Sequence, residues 1–168
     1  TAHYNEGVSF SSDSKSFKTD KELIRHLKVD GVENFRDLGG WTTSLGKIKQ
    51  GMLYRSAEFN GDNGSVPTEE GLRIIKEDLK IKSDIDLRRT KAFNNKDEIG
   101  GITESPLGSD VNWVSLPLNY SGMDIFTQNI NRDNIRLFFE YLADESHYPA
   151  VFHCVRGTDR TGALAYVL

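Results

Sequence analysis

The chain has 168 residues, a formal net charge of −4, and a composition that is 37% hydrophobic and 27% charged. That balance predicts one folded domain rather than a disordered chain and does not favour nucleic acid as a partner; no apolar run nears the roughly 18 residues of a membrane span. Cys154 is the single cysteine, so an internal disulfide is excluded. His3, His26 and His147 are scattered without ligand spacing, so neither a metal nor another cofactor is expected.

Residues 1–20 are rich in Ser, Asp and Lys and read as a loosely held segment that Phe10 and Phe17 pin to the surface. Residues 20–27 read as a short helix carrying Leu23, Ile24 and Leu27. Residues 41–57 read as a hairpin, with Gly46 and Gly51 bracketing Lys47, Ile48 and Lys49. A Gly- and Asn-rich loop at 60–67 follows. Thr68 is then an N-cap with Glu69 and Glu70 in the first turn, and Leu72, Ile75 and Leu79 share one face of the helix it opens. Residues 81–87 form a buried strand, 94–110 a polar loop, and 111–118 a strand that Pro117 ends. Residues 131–145 form a helix with Ile135, Phe138 and Leu142 aligned, and 151–154 form the central strand. The apolar run from Ala163 to Leu168 reads as a helix buried on every side. Alternating strands and helices predict an α/β fold, with a central, mostly parallel sheet flanked by helices. The site then lies beyond the carboxyl ends of the strands, where Asp86-Leu87-Arg88, Leu118-Asn119-Tyr120 and Cys154 converge.

Residues 153–162, HCVRGTDRTG, carry the chemistry. A strand runs into a tight loop and then into a helix, an arrangement that aims backbone N–H groups at one spot by the positive end of the helix. The phosphate-binding residues expected are Val155, Arg156, Gly157, Thr158, Asp159 and Arg160. A thiol near its ordinary pKa of about 8.5 is a poor nucleophile at neutral pH; the loop N–H groups, the helix N terminus, Arg160 and Arg156 favour the Cys154 thiolate. The Arg160 guanidinium matches two phosphoryl oxygens. Thr161 is placed to donate its hydroxyl to the sulfur. Asp159 is placed to protonate the leaving oxygen and then to activate water. Two-step phosphomonoester hydrolysis through a cysteinyl-phosphate is the reaction implied. Cys-x5-Arg alone is a weak signal, and a lone cysteine is commonly a small buried hydrophobe; the complete string in its strand-loop-helix context is the stronger one.

HCVRGTDRTG resembles the phosphate loop of the protein tyrosine phosphatases, and within them the bacterial and fungal branch that pairs HCxxGKDRTG with an upstream NFRDLGG. That upstream string stands at 34–40, and LYRSA at 53–57 and IDLR at 85–88 match further family segments. The resemblance runs from about Val32 to the last residue. It implies one dual-specificity-like phosphatase domain over residues 1–168, acting on phosphotyrosine in proteins and in some members on phosphoserine, phosphothreonine or phosphoinositides. It also implies further helices after Leu168, so the chain reads as a fragment of that domain. Thr158 stands where the family loop commonly has Lys, which weakens the phosphoinositide reading; Arg156 is a candidate substitute.

The remaining candidates carry competing roles. Asp84 or Asp86 is a possible general acid, against a structural ion pair with Arg88, which the pattern favours. Asp124 lies where many tyrosine phosphatases carry a mobile acid-bearing loop, but the stretch YSGMD at 120–124 has no Trp-Pro-Asp. His153 is expected to orient the loop and support the thiolate by hydrogen bonds. Arg36 and Asp37 are candidates to line the site, Gly39 and Gly40 to permit a tight turn, and Arg55-Ser56 to support the loop backbone. Two other functions stay open: sulfur transfer by a rhodanese-like domain, and an inactive module that captures phosphopeptides.

Overall fold

The computed structural model describes residues 25–61, 65–120 and 122–168, together with the backbone of a two-stranded antiparallel ladder, β1 (Ala2–His3) with β2 (Ser9–Phe10). Expectations for the rest of residues 1–24 lie outside the described residues. The described end of the helix expected at 20–27 is not helical: His26 forms a bridge with Arg36, and Leu27 N donates to Phe35 O at 3.0 Å.

The remaining strands are β3 (Arg36–Asp37), β4 (Thr42–Thr43), β5 (Gly46–Lys47), β6 (Leu53–Ser56), β7 (Ser83–Asp86), β8 (Asn112–Ser115) and β9 (Ala150–His153). The main sheet has the order β3-β6-β9-β7-β8. Only β3 runs antiparallel, against β6; the other neighbours are parallel. The fold is thus the expected α/β arrangement. The hairpin at 41–57 is shorter than expected, being β4 with β5 alone. Leu53–Ser56 joins the main sheet instead, because it pairs β3 on one side and β9 on the other.

Side chains alternate across β9 and feed two cores. Phe152 and Cys154 point to one face, with Ile85, Leu87, Leu118, Phe138 and Leu164. Val151 points to the other, with Phe35, Tyr54, Phe59, Ile75 and Val111. Helices cover both faces. On the Val151 side lies α1 (Glu69–Arg73), continued by a π-helical turn at Ile74–Asp78. Its cap is the expected one: Thr68 Oγ1 accepts from Gly71 N at 3.1 Å. On the Phe152 side lie α3 (Arg132–Leu142) and α4 (Asp159–Val167). A short helix, α2 (Lys91–Asn94), opens the stretch expected to be loop. Each large side chain in these cores stabilises the fold by about 1.5–3 kcal/mol.

Helix α4 is not buried all round. Ala163 and Leu164 are buried, whereas Tyr166 is 79% exposed and Val167 and Leu168 are also exposed. Its apolar composition therefore covers one face of the sheet and leaves an apolar face open. Among the described residues no helix is long and apolar enough to cross a membrane.

Candidate active site

The loop at 154–158 leaves the carboxyl end of β9, the middle strand of the sheet, and enters α4. The carbonyl groups of its residues are taken up from outside. Glu58 N donates to Val155 O at 3.1 Å. Asn34 Nδ2 donates to Arg156 O at 3.1 Å and to Gly157 O at 3.0 Å. Arg55 Nη2 donates to Gly157 O at 2.5 Å and to Thr158 O at 3.4 Å. Gly162 N donates to Thr158 O at 2.8 Å as α4 begins. The backbone N–H groups of Gly157 and Thr161 face the Cys154 sulfur, the sense in which an anion nest presents its donors. The inversion depends on Gly157, whose φ is +65° and whose Cβ position would lie 2.2 Å from Ser56 O. No L side chain fits there.

Cys154 sits at the base of this loop, 2% exposed. Burial pushes its thiol up, but the Thr161 hydroxyl, the Arg160 guanidinium and the backbone N–H groups of Thr161 and Gly157 outweigh burial and bring it below its ordinary value. Thr161 Oγ1 is buried and meets no other hydrogen-bond partner, so it is free to serve the sulfur.

Arg160 is 7% exposed. Its Nη1 donates to Glu98 Oε2 at 2.7 Å and lies 3.2 Å from Leu87 O and 3.5 Å from Leu118 O. The three strand ends therefore meet around one guanidinium, as the alternation of elements predicted. Glu98 in turn accepts from Arg89 N and Nε, each at 2.9 Å, and from Arg89 Nη2. Burial pushes Glu98 up, yet the hydrogen bonds from Arg89 and Arg160 hold it at about 2.

His153 is fully buried, with Nε2 3.0 Å from Asp84 Oδ1 and Nδ1 4.0 Å from Asp86 Oδ1. Its ring reaches the Cys154 carbonyl at 3.4 Å, so the hydrogen bond expected to the thiolate goes to the backbone instead. Burial opposes its charge, but Asp86 and Asp84 raise its pKa above the ordinary value. Asp86 binds Arg88 through both oxygens, at 2.7 Å to Nη2 and 3.0 Å to Nε. Glu58 Oε2 takes Arg88 Nη1 at 3.0 Å. Asp86 thus forms the structural ion pair with Arg88 that the pattern favoured, whereas Asp84 faces His153 instead and accepts from Ser105 Oγ at 2.6 Å.

Asp159 is exposed in the first turn of α4, and Arg156 and Thr158 are exposed on the loop. Asp124 is exposed on a 3-10 turn, Gly122–Phe126. Buried Asn131 pins that segment, donating through Nδ2 to Asn119 O and Ile125 O, both at 2.9 Å. Arg36 is exposed on the edge strand opposite Arg55, while Asp37 is buried and accepts from Gly39 N at 2.7 Å and Gly51 N at 2.8 Å. Arg36 therefore stays on the site's flank and Asp37 shapes the NFRDLGG turn.

Clefts flank the loop on two sides. One of about 490 Å³ is lined by His26, Asn34, Arg156 and Thr158. Another of about 370 Å³ is lined by Glu58, Asn60, Glu98 and Val155. A larger cavity of about 560 Å³, lined by Leu38, Trp41, Ile48, Tyr148 and Leu168, touches no loop residue. Sequence reasoning missed Asn34, Glu58 and Glu98 as loop partners. The stretch after IDLR, with acidic and basic residues mixed, offered no spacing to mark Glu98, and the amide role of Asn34 was hidden within NFRDLGG.

No curated protein matches the chain. Among solved structures it is similar to the core catalytic domain of the PP-IP phosphatase SIW14 from S. cerevisiae in complex with citrate, at 21% identity over 67% of this chain and 57% of that chain, with a TM-score of 0.42. A second structure, of the Siw14 catalytic core, gives 17% identity over 87% of this chain and 67% of that chain, with a TM-score of 0.43. The family model described as the tyrosine phosphatase family matches residues 27–168. That span takes in both the Asn34 clamp and the loop it holds, and the chain belongs to the tyrosine phosphatase family.

Proposed function

We propose that this chain hydrolyses phosphomonoesters, with protein phosphotyrosine as the leading substrate class, through a cysteinyl-phosphate on Cys154. The observation that carries the reading is the outward clamping of the loop carbonyls above a buried, low-pKa thiol. A tetrahedral dianion seated there accepts the N–H groups of residues 155–160, while Arg160 takes two of its oxygens as charge spreads in the transition state.

The Cys154 thiolate attacks phosphorus, and the bond to the leaving oxygen breaks. Asp159 gives that oxygen its proton. Water then attacks phosphorus and yields a proton to Asp159, the S–P bond breaks, and phosphate leaves a thiolate that the Thr161 hydroxyl stabilises. His153 orients the loop from the end of β9, with Asp84 and Asp86 holding its ring. Arg36 and Asp124 support the site from its rim.

The test is phosphate release from p-nitrophenyl phosphate and from a phosphotyrosine peptide. Cys154→Ser should abolish turnover and retain oxyanion binding. Asp159→Asn should slow alkyl phosphates more than activated aryl phosphates, whose leaving groups need no proton. Thiosulfate turnover without phosphate release would establish a sulfurtransferase, and tight phosphopeptide capture without turnover a binding module; either outcome would end this reading. Faster turnover of phosphoserine, phosphothreonine or phosphoinositide than of phosphotyrosine would move the substrate class and leave the chemistry in place.

A further inference from the structure

We propose that the β4–β5 hairpin docks on an anionic lipid bilayer, with Leu45, Trp41 and Ile48 entering its apolar boundary and Lys47 and Lys49 lying among the headgroups. Residues 41–49 are all exposed. Leu45, at the tip, is 98% exposed, and Trp41 is 55% exposed. The tip is a closed turn: Thr43 Oγ1 donates to Gly46 O at 2.8 Å and accepts from Leu45 N at 3.2 Å. The hairpin is also two-faced. Thr42 pairs with Lys47 and Thr43 with Gly46, and Ile48 N donates to Trp41 O at 2.9 Å. Side chains alternate across a strand, so Trp41 and Ile48 share one face and Lys47 and Lys49 take the other. The apolar face runs on into the cavity of about 560 Å³ bounded by Leu38, Leu53 and Tyr148. A contiguous exposed apolar patch of this kind marks an interaction surface.

Charge selects the occupant. Between Asp37 and Glu58 the chain has no acidic residue, although it carries 25 Asp and Glu in all and a net charge of −4. The Arg25 guanidinium stacks on the Trp41 ring, 3.7 Å from its centroid, and adds a cation beside the indole. An anionic surface attracts this end of an otherwise acidic molecule. Lysine stems lie along apolar chains while their ammonium groups reach the headgroups, and tryptophan favours the boundary between the two. A second copy of the chain fits less well, because pairing two such hairpins sets cations against cations. A convex tip enters a bilayer without needing a matching groove.

Docking also fixes an orientation. The hairpin hangs from the amino end of β6: Leu38 N donates to Leu53 O at 2.9 Å, and Asp37 accepts from Gly51 N at 2.8 Å. Strands β6 and β9 run parallel, and Cys154 follows the carboxyl end of β9. The docked molecule therefore turns its phosphate loop toward water, away from the headgroups of the bilayer that holds it. Only this last consequence rests on the phosphatase reading.

The experiment is co-sedimentation with vesicles of phosphatidylcholine alone and of phosphatidylcholine mixed with phosphatidylserine. Trp113→Phe leaves Trp41 as the single tryptophan, so its emission reports the hairpin directly. We expect binding to the serine-containing vesicles with a blue shift of Trp41, and much weaker binding to phosphatidylcholine alone. Leu45→Ser should weaken binding about tenfold or more, and replacing Lys47 and Lys49 by Ser should weaken it about fivefold per lysine. These variants should keep the parent's Tm and its turnover of p-nitrophenyl phosphate in solution, because the side chains are exposed and distant from the loop. Saturating inorganic phosphate should leave vesicle binding unchanged. Absence of binding to the anionic vesicles, or binding unaltered in Leu45→Ser, would overturn the proposal. So would displacement by phosphate, which would put the lipid headgroup in the catalytic loop, and a blue shift that tracks protein concentration without vesicles, which would assign the face to a second copy. A parent that sediments with vesicles but releases no phosphate would end the phosphatase reading and leave the docking site standing.

Discussion

Asn34 Nδ2 lies 3.0 Å from the carbonyl oxygen of Gly157, across 123 residues of chain, and the same amide reaches Arg156 O at 3.1 Å. Two consecutive carbonyls are thereby turned away from the sulfur by one side chain. Asn34 itself holds a left-handed backbone, φ 59°, a conformation that asparagine tolerates better than most residues and glycine adopts freely.

Asn34→Gly is therefore the clean removal, because the backbone stays where it is and only the clamp goes. Each lost hydrogen bond should cost about 0.5–1.5 kcal/mol of stability. The larger effect falls on function, as the freed carbonyls can turn toward the anion. We expect weaker inhibition by inorganic phosphate, lower kcat/KM on p-nitrophenyl phosphate and a small drop in Tm. Unchanged phosphate inhibition would mean that Arg55 and Glu58 N hold the loop without help.

Gly157→Ala tests the same inversion from the loop side. The added methyl meets backbone atoms, Ser56 O at 2.2 Å and Ala57 N at 2.7 Å, and φ is +65°. Backbone cannot yield as a side chain tip does, so the loop must move. A loss of activity of about 100-fold or more is expected, by analogy with a 1 Å misplacement at a reacting centre, together with a lowered Tm. Circular dichroism should show the sheet intact. Activity within a few-fold of the parent would refute the steric account.

The buried charges predict a pH dependence of stability with two limbs. Against burial, Asp86 and Asp84 raise His153 above its ordinary 6.5. A group raised on folding contributes stability that is complete below its unfolded value and is lost as pH climbs through the folded one. Urea midpoints should therefore fall as pH rises above 6.5, and His153→Gln should flatten that limb. Glu98 supplies the acid limb. Despite burial it is held at about 2 against an ordinary 4.5, so its contribution is present above 4.5 and is lost as pH falls toward 2. An alkaline slope identical in His153→Gln and its parent would show that no buried imidazolium stabilises the fold.

Some of this was readable from the residue order because the determinants are local. Thr68 followed by Glu69 and Glu70 announces a helix start, and Thr68 caps Gly71 N. Val151 and Phe152 belong to a short apolar run ahead of Cys154, and they feed opposite cores. The hairpin expected at 41–57 overextends because the local order Leu53-Tyr54-Arg55-Ser56 reads as a strand whether it pairs with β5 or with β9. Only long-range pairing chooses between those partners. Helix α4 was read as buried all round because composition records how apolar a segment is, whereas exposure depends on what packs against it.

By itself the sequence determined the order of strands and helices, the family motifs, and the spacing that puts one thiol and one guanidinium on a single loop. Spacing along a covalent chain decides these directly. Tertiary structure alone decided that the loop carbonyls face Asn34 and Arg55, that Glu98 takes one nitrogen of Arg160, and that His153 lies between Asp84 and Asp86. Each of these is an orientation, and orientation is set by hydrogen bonds and charges between segments that only the folded sheet brings within reach of one another.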